Sequence, residues 1–567
     1  MRLHRPPPDV FPSTAVVLDS IGGPVMATLQ STIGETAPQR LRVCQPAIAG
    51  NLQSRYNSSV RSPDDPEYVP GGRGRLLPRI GRALDALDRP AVVLVLLLPV
   101  LLQWIVPLVG SRLWMDETVT WWTANHGLRE LVARCIFWPG SILYSSFILL
   151  LRSLGVHSEW LLRLPSLAAV MLSAAVLFDL AMRWFSRRVA IAALVFFCAQ
   201  PWVAFAAADA RPYALGLLMV MTATWLMLRW LDLQRAGLAC AYGAAAALVL
   251  HFHMLFATVL VFHGIFLMLV RPRNRQFARQ AAMAVSILAV LALPLLPQYV
   301  HAFTTRAAHT SPNPRNLWDL GRQFLPTLPM FASALVAAMF PRWRPVPREP
   351  IVRMFVLLGL LWAAVPMCLL YVAAKLSQSD LFIGRYLLPY VPGIALCFGL
   401  ILEYLSPRLR TGLVLLIFLL PVAIRCWQGD FASHTFLGNW AAAIELIDHE
   451  NRNAALPAMM RSPFPESDFL AWRKANMMDS AIYAPLAFYP SSSQWHPLPV
   501  TFTPEAAKAI DDLVRMQSAA RHGLFFATFD DRNTGPYLAY LRTRPGARGE
   551  FQEIGNFERV RVFRLRW

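Results

Sequence analysis

The stretch "AVVLVLLLPVLLQWIVPLVG" at 91–110 decides the class of this chain, because its twenty residues carry no charge and Gln103 is their most polar side chain. About twenty apolar residues in helical conformation span the hydrocarbon of a bilayer. Outward from this run the pattern repeats, with apolar segments near 161–182, 189–207, 211–230, 237–252, 254–270, 281–299, 324–341, 351–374, 385–404 and 411–426. Only 15% of the 567 residues are charged and 56% are hydrophobic, whereas soluble domains carry about 25% charged residues. The reading is a polytopic α-helical membrane protein of about 11 spans.

The formal charge of +19 raises a nucleic-acid reading, which the distribution of arginines argues against. They cluster in short connectors at Arg183/Arg187/Arg188, Arg229/Arg235, Arg271/Arg273/Arg275/Arg279, Arg342/Arg344/Arg348 and Arg408/Arg410. Positive connectors face the cytoplasm, so these five are expected inside and the connectors 111–160, 300–323 and 375–385 outside. The run "CIFWPGSILYSSFILLL" at 135–151 then has no place as a span, and is read as a helix lying in or dipping into the outer interface. It makes 111–160 a long first outer loop.

Three regions follow from composition. Residues 1–90 form an N-terminal cytoplasmic tail whose first 80 residues, rich in Pro, Ser, Gly and Arg, read as disorder or as an upstream start-codon extension. Residues 91–427 form the membrane domain. Residues 428–567 return to soluble composition, with helices expected at "NWAAAIELIDHE" and after Thr503-Pro504-Glu505, and strands at "GLFFATF" and "RVRVFRLRW". With an odd number of spans this small α/β domain is extracytoplasmic. The seven cysteines show no metal or disulfide framework; Cys135 and Cys426 are placed to meet outside the membrane, but packing as small hydrophobes is the favoured reading for lone cysteines.

Polar candidates gather on the expected outer face. Asp116 and Glu117 in "SRLWMDETVTWW" directly follow the first span with no basic partner in register. They read either as solvated acids in an aromatic interface belt or as a partly desolvated carboxylate suited to a general base. Asp209, Arg211 and Tyr213 in "AADARPYAL" offer a local ion pair, or a planar guanidinium for a phosphate. Arg385, Tyr386 and Tyr390 in "GRYLLPYVP" offer a snorkelling arginine or a second phosphate ligand. His251 and His253 in "HFHM" are two apart and do not share a helical face, so packing or hydrogen bonding is favoured over a metal pair. Arg163 in "LLRLPS" either positions the first loop or anchors a span end.

The ordered motifs "LWMDETVTWW", "EWLLRLPSLAAV", "DARPYAL" and "GRYLLPYVP" resemble the protein O-mannosyltransferase-like branch of the GT-C membrane glycosyltransferases, which includes the aminoarabinose transferase of lipid A. The resemblance covers roughly 111–400. It implies a GT-C-like catalytic domain in the bacterial cytoplasmic membrane that moves a sugar from a polyprenyl-phosphate donor to a hydroxyl acceptor on a glycan, lipid or protein. It puts the base on Asp116, with Glu117 as its positional or hydrogen-bonding partner. Arg211, Tyr213, Arg385, Tyr386 and Arg163 fall where substrate would bind. No cofactor is indicated, metal use stays open, and no nucleic-acid partner is expected. Where many relatives carry a string like "HPPLYY", this chain has "FWPGSILYSS", with Phe137 or Trp138 at the histidine position and Pro139 and Tyr144 in place. A carrier or flippase for an anionic lipid-linked saccharide is the rival reading.

Overall fold

In the computed structural model the apolar runs among the described residues are helices, because a backbone in hydrocarbon must satisfy its own hydrogen bonds. The structure describes residues 101–137, 140–305, 316–323, 350–377, 381–403, 423, 427, 438–452, 455–461, 481–518, 523–543 and 550–566. The expected span at 324–341, all but residue 423 of that at 411–426, the start of the first span, the tail at 1–90 and Cys426 lie outside them. All described residues belong to one compact unit.

The first helices are α1 (Leu101–Gly110), α2 (Met115–Thr123), α3 (Leu128–Phe137) and α4 (Ile142–Ser153). Then come α5 (Glu159–Trp184), α6 (Arg187–Ala199), α7 (Pro201–Ala207), α8 (Tyr213–Leu233), α9 (Ala236–Phe252) and α10 (Thr258–Val270). The series continues with α11 (Arg275–Ala292), α12 (Leu296–Thr304), α13 (Leu317–Gln323), α14 (Pro350–Ser377) and α15 (Val391–Glu403). Five described helical segments are long and apolar enough to cross a membrane, or six if the pair α6–α7, bent by 70°, counts as one. The bend falls at Gln200-Pro201, where proline lacks the amide that would continue the ladder.

The run at 135–151 differs from its expectation. It is two helices, α3 and α4, rather than one. Pro139-Gly140 follows α3 in sequence, and both residues oppose helix continuation. Ser141 restarts the chain: its hydroxyl accepts from Tyr144 N at 3.1 Å as an N-cap and donates to His251 O at 2.7 Å. The side chains of Phe137, Trp138 and Pro139, where the motif departs, lie outside the described residues. Cys135 is buried against Ser145 and is not in a disulfide.

After the membrane helices the chain forms α16 (Trp440–Glu450), β1 (Ala458–Arg461), α17 (Ala484–Phe488), β2 (Trp495–Leu498), α18 (Pro504–Ser518), β3 (Gly523–Phe529), α19 (Thr534–Arg542), β4 (Glu550–Phe557) and β5 (Val560–Arg566). The expected helices and strands are all present. Asn439 caps α16 by accepting from Ala442 N at 3.0 Å, and Thr503 caps α18 by accepting from Ala506 N at 3.2 Å. The sheet order is β2-β1-β3-β5-β4, parallel among the first three strands and antiparallel where β5 meets β3 and β4. Its two faces hold separate apolar clusters, and the one containing Trp440 and Phe525 also takes in Met115 of α2. The sheet domain therefore packs directly on the first loop.

Candidate active site

The site is built on α2, which begins five residues after α1 ends. Asp116 and Glu117 sit in its first turn, where carboxylates face the positive end of the helix dipole. Being adjacent, they diverge by about 100° around the helix, and each meets a different set of partners.

Glu117 points into the protein and is 1% exposed. Its oxygens accept from Trp114 N at 3.1 Å, from Ala210 N at 2.7 Å and from Arg163 Nε and Nη2 at 2.7 and 2.6 Å. Arg163 is equally buried, and its remaining donors bind Ser111 O at 2.6 Å and Arg112 O at 3.0 Å. Two expectations are corrected here. Glu117 has a basic partner after all, from 46 residues away, and with both oxygens taken it faces no reactant. Arg163 spends its guanidinium on protein acceptors and is a loop anchor, not a substrate ligand; a buried pair of charges persists only when fully hydrogen-bonded.

Asp116 faces the other way. One of its carboxylate oxygens, Oδ2, lies 3.9 Å from Arg211 Nη2 and 3.7 Å from Arg385 Nη2, and the three side chains keep 15%, 21% and 24% of their surface exposed. Arg211 is steadied by Asp116 O and Thr120 Oγ1, both 3.1 Å from Nη1. Arg385 lies over the Trp114 indole at 5.4 Å and over the Tyr386 ring at 5.3 Å. Tyr213 stands 5.9 Å from the Arg211 guanidinium and 6.2 Å from the Tyr386 ring. Asp116, Arg211, Tyr213, Arg385 and Tyr386 are thus brought together, while Glu117 and Arg163 stand behind them as support.

The Asp209–Arg211 alternative takes another form. Asp209 is fully buried and its Oδ1 accepts from Trp114 Nε1 at 2.9 Å. Burial, with Glu117 nearby, raises its carboxyl well above the usual carboxylate range. It positions the indole on which Arg385 rests. Gly384 has a similar effect, because a Cβ there would collide with the Trp202 indole. Only glycine lets the chain pass flush against that ring and deliver Arg385.

Contacts with the sheet domain were not legible from sequence. Tyr489 OH accepts from Leu113 N at 2.8 Å and donates to Glu159 Oε1 at 2.6 Å, and Trp121 Nε1 donates to Ala487 O at 3.2 Å. These bonds brace the loop segment that carries Asp116, and separations beyond 300 residues leave no local signal. Of the two histidines, His251 Nε2 donates to Leu291 O at 2.8 Å, a hydrogen-bonding role as expected. Among the described residues, no cluster of three or more His, Cys, Asp or Glu is placed to hold a metal.

Residues 140–298 match the model of the dolichyl-phosphate-mannose-protein mannosyltransferase family. The motif resemblance holds over that stretch. The match includes Arg163, Arg211 and Tyr213, with Asp116 and Arg385 on either side of it. No curated protein sequence matches. Among solved structures, ArnT from Cupriavidus metallidurans in the apo state is similar at 13% identity and a TM-score of 0.49, over 84% of this chain and 98% of that one. Arabinofuranosyltransferase AftD from Mycobacteria is similar at 15% identity and a TM-score of 0.43, over 88% and 40% of the two chains. The Archaeoglobus fulgidus oligosaccharyltransferase follows at 12% identity and 0.42, over 82% and 72%.

Proposed function

We propose that this chain is an inverting glycosyltransferase that moves a sugar from a polyprenyl-phosphate donor to a hydroxyl acceptor. Asp116 is the general base, and Arg211 and Arg385 hold the donor phosphate, with Tyr213 and Tyr386 lining it. The observation that carries this reading is the meeting of two guanidinium groups and one carboxylate at a partly exposed point. One cation is in excess there, which suits an anionic donor. The matched family's own name, built on dolichyl-phosphate-mannose, points to the same donor chemistry.

In the reaction the donor phosphate draws the two arginines to itself and leaves Asp116 free for the acceptor. Asp116 takes the acceptor proton as the oxygen attacks the anomeric carbon, and the bond from that carbon to the phosphate oxygen breaks. The electron pair leaves on the phosphate, where the guanidinium groups offset the growing charge. A single displacement inverts the anomeric configuration. The acceptor class, whether glycan, lipid or protein, is left open by this chemistry.

The same reading places the site and the sheet domain outside a bacterial cytoplasmic membrane crossed about eleven times. Charge supports it: α8 begins beside the site at Tyr213, and its far end leads to Arg235. The rival, a carrier or flippase for an anionic lipid-linked saccharide, would favour polar groups near mid-bilayer. Here they gather at helix ends beside an acid.

The test uses the purified chain in proteoliposomes with labelled polyprenyl-phosphate sugars and an envelope acceptor extract. Asp116→Asn is expected to lower transfer by about 10²–10⁴-fold, the usual range for a general base. Turnover at the wild-type rate by this variant would sink the assignment.

A further inference from the structure

His253 lies in the turn after α9. Its ring is held among Tyr213, Tyr386 and Phe256, with centroids 5.1, 5.3 and 4.7 Å away. Two of those rings are the tyrosines that flank Arg211 and Arg385. The residue is partly exposed, yet its Nδ1 is out of solvent and has no hydrogen-bond partner among the described residues. A buried polar atom left in this state costs stability.

The two arginines share the same shortage. Arg211 Nε and Arg385 Nε are also buried without an acceptor. Three unmet nitrogens thus belong to side chains grouped around Tyr213 and Tyr386, and both guanidinium groups act on the imidazole electrostatically. Burial, reinforced by those two positive neighbours, keeps His253 neutral. A neutral imidazole offers one N–H and no charge. It can give a hydrogen bond at Nδ1 without becoming a third cation.

A polyprenyl-phosphate sugar is a phosphodiester with two non-bridging oxygens and one negative charge. When the bond to the anomeric carbon breaks, the bridging oxygen becomes a third terminal oxygen and the charge rises by one. Two guanidinium groups match the diester; a third donor has work only in the product-like state. We propose that His253 is a catalytic residue of this transfer, giving an Nδ1–H hydrogen bond to the oxygen that leaves the sugar. The bond strengthens as charge grows on that oxygen, so it lowers the barrier more than it tightens ground-state binding. The imidazole proton stays on His253: the acceptor proton goes to Asp116, and the phosphate departs as a dianion.

This inference rests on the transferase reading, and its test needs no knowledge of the sugar. The affinity of the chain in nanodiscs is measured at pH 8 for undecaprenyl phosphate and for its methyl diester, with tryptophan fluorescence as the signal. Wild type is expected to prefer the monoester, and His253→Ala to lose about tenfold in monoester affinity with diester affinity unchanged, as loss of one charge-assisted hydrogen bond predicts. His253→Asn, which keeps an N–H donor, is expected to recover part of that preference. Equal loss for both ligands in His253→Ala, or no loss for either, overturns the role given to His253 and leaves the transferase reading standing. Failure of wild type to bind either ligand overturns both.

Discussion

Asp116 and Glu117 are neighbours in sequence, share one helical turn, and have opposite environments. Glu117 has no exposed side-chain surface and is locked to Arg163 at 2.6 Å; Asp116 is part-exposed, with two arginines at 3.7 and 3.9 Å. The tight pair gains its stability from complete hydrogen bonding away from water. The loose trio has slack in its geometry and unmet donors on both arginines. A protein that needs an acid to exchange partners cannot also use it as a beam, and two adjacent acids let it have both.

The comparison breaks if the two acids respond alike. Asp116→Asn is expected to lower transfer by about 10²–10⁴-fold while leaving the thermal unfolding midpoint in detergent unchanged. Next in size, Glu117→Gln or Arg163→Met each leaves a buried charge unpaired and should destabilise the chain by about 3–5 kcal/mol. Joint replacement by Glu117→Leu and Arg163→Met should restore much of that stability, read from the same melting curves. Wild-type melting in the single variants would mean that the buried pair is not structural.

Smaller effects sharpen the same contrast. Gly384→Ala pushes the Trp202 ring away and should cost about 1–3 kcal/mol, the range for overpacking a tight contact. With Arg385 displaced, donor KM should rise together with that loss. Tyr489→Phe removes one donor and one acceptor at the base of the loop, and a loss of about 1–2 kcal/mol is expected. If Tyr489→Phe melts as wild type does, the sheet domain is not bracing the loop through this hydroxyl.

How far the sequence carried depends on the range of each interaction. Apolar runs report helices directly, because burial in lipid selects composition residue by residue; hence α5, α8 and α14 appear where the hydropathy puts them. Asp116, Arg211 and Arg385 were legible as a set because charge parity put three short motifs at the same ends of their helices. The inward turn of Glu117 was not. Its partner Arg163 sits in an ordinary leucine-rich segment, and only the fold reveals that α5 passes behind α2. The Tyr489 contact was still less visible, since a tyrosine in "LAFYP" has no periodicity tying it to Leu113. The end of α3 at Phe137 and the start of α4 at Ile142 have a local signal in the sequence Pro139-Gly140, two helix breakers set inside an apolar run.

The bond from Leu113 N to Tyr489 OH joins residues 376 positions apart. During synthesis at roughly 5–20 residues per second, that interval is about 20–75 seconds. Throughout it the loop bearing Asp116 is already made but lacks its brace from the sheet domain. The Leu113–Tyr489 bond therefore forms only near the end of translation. A premature stop before residue 489 leaves a chain whose loop is held by Arg163 but lacks the Tyr489 brace.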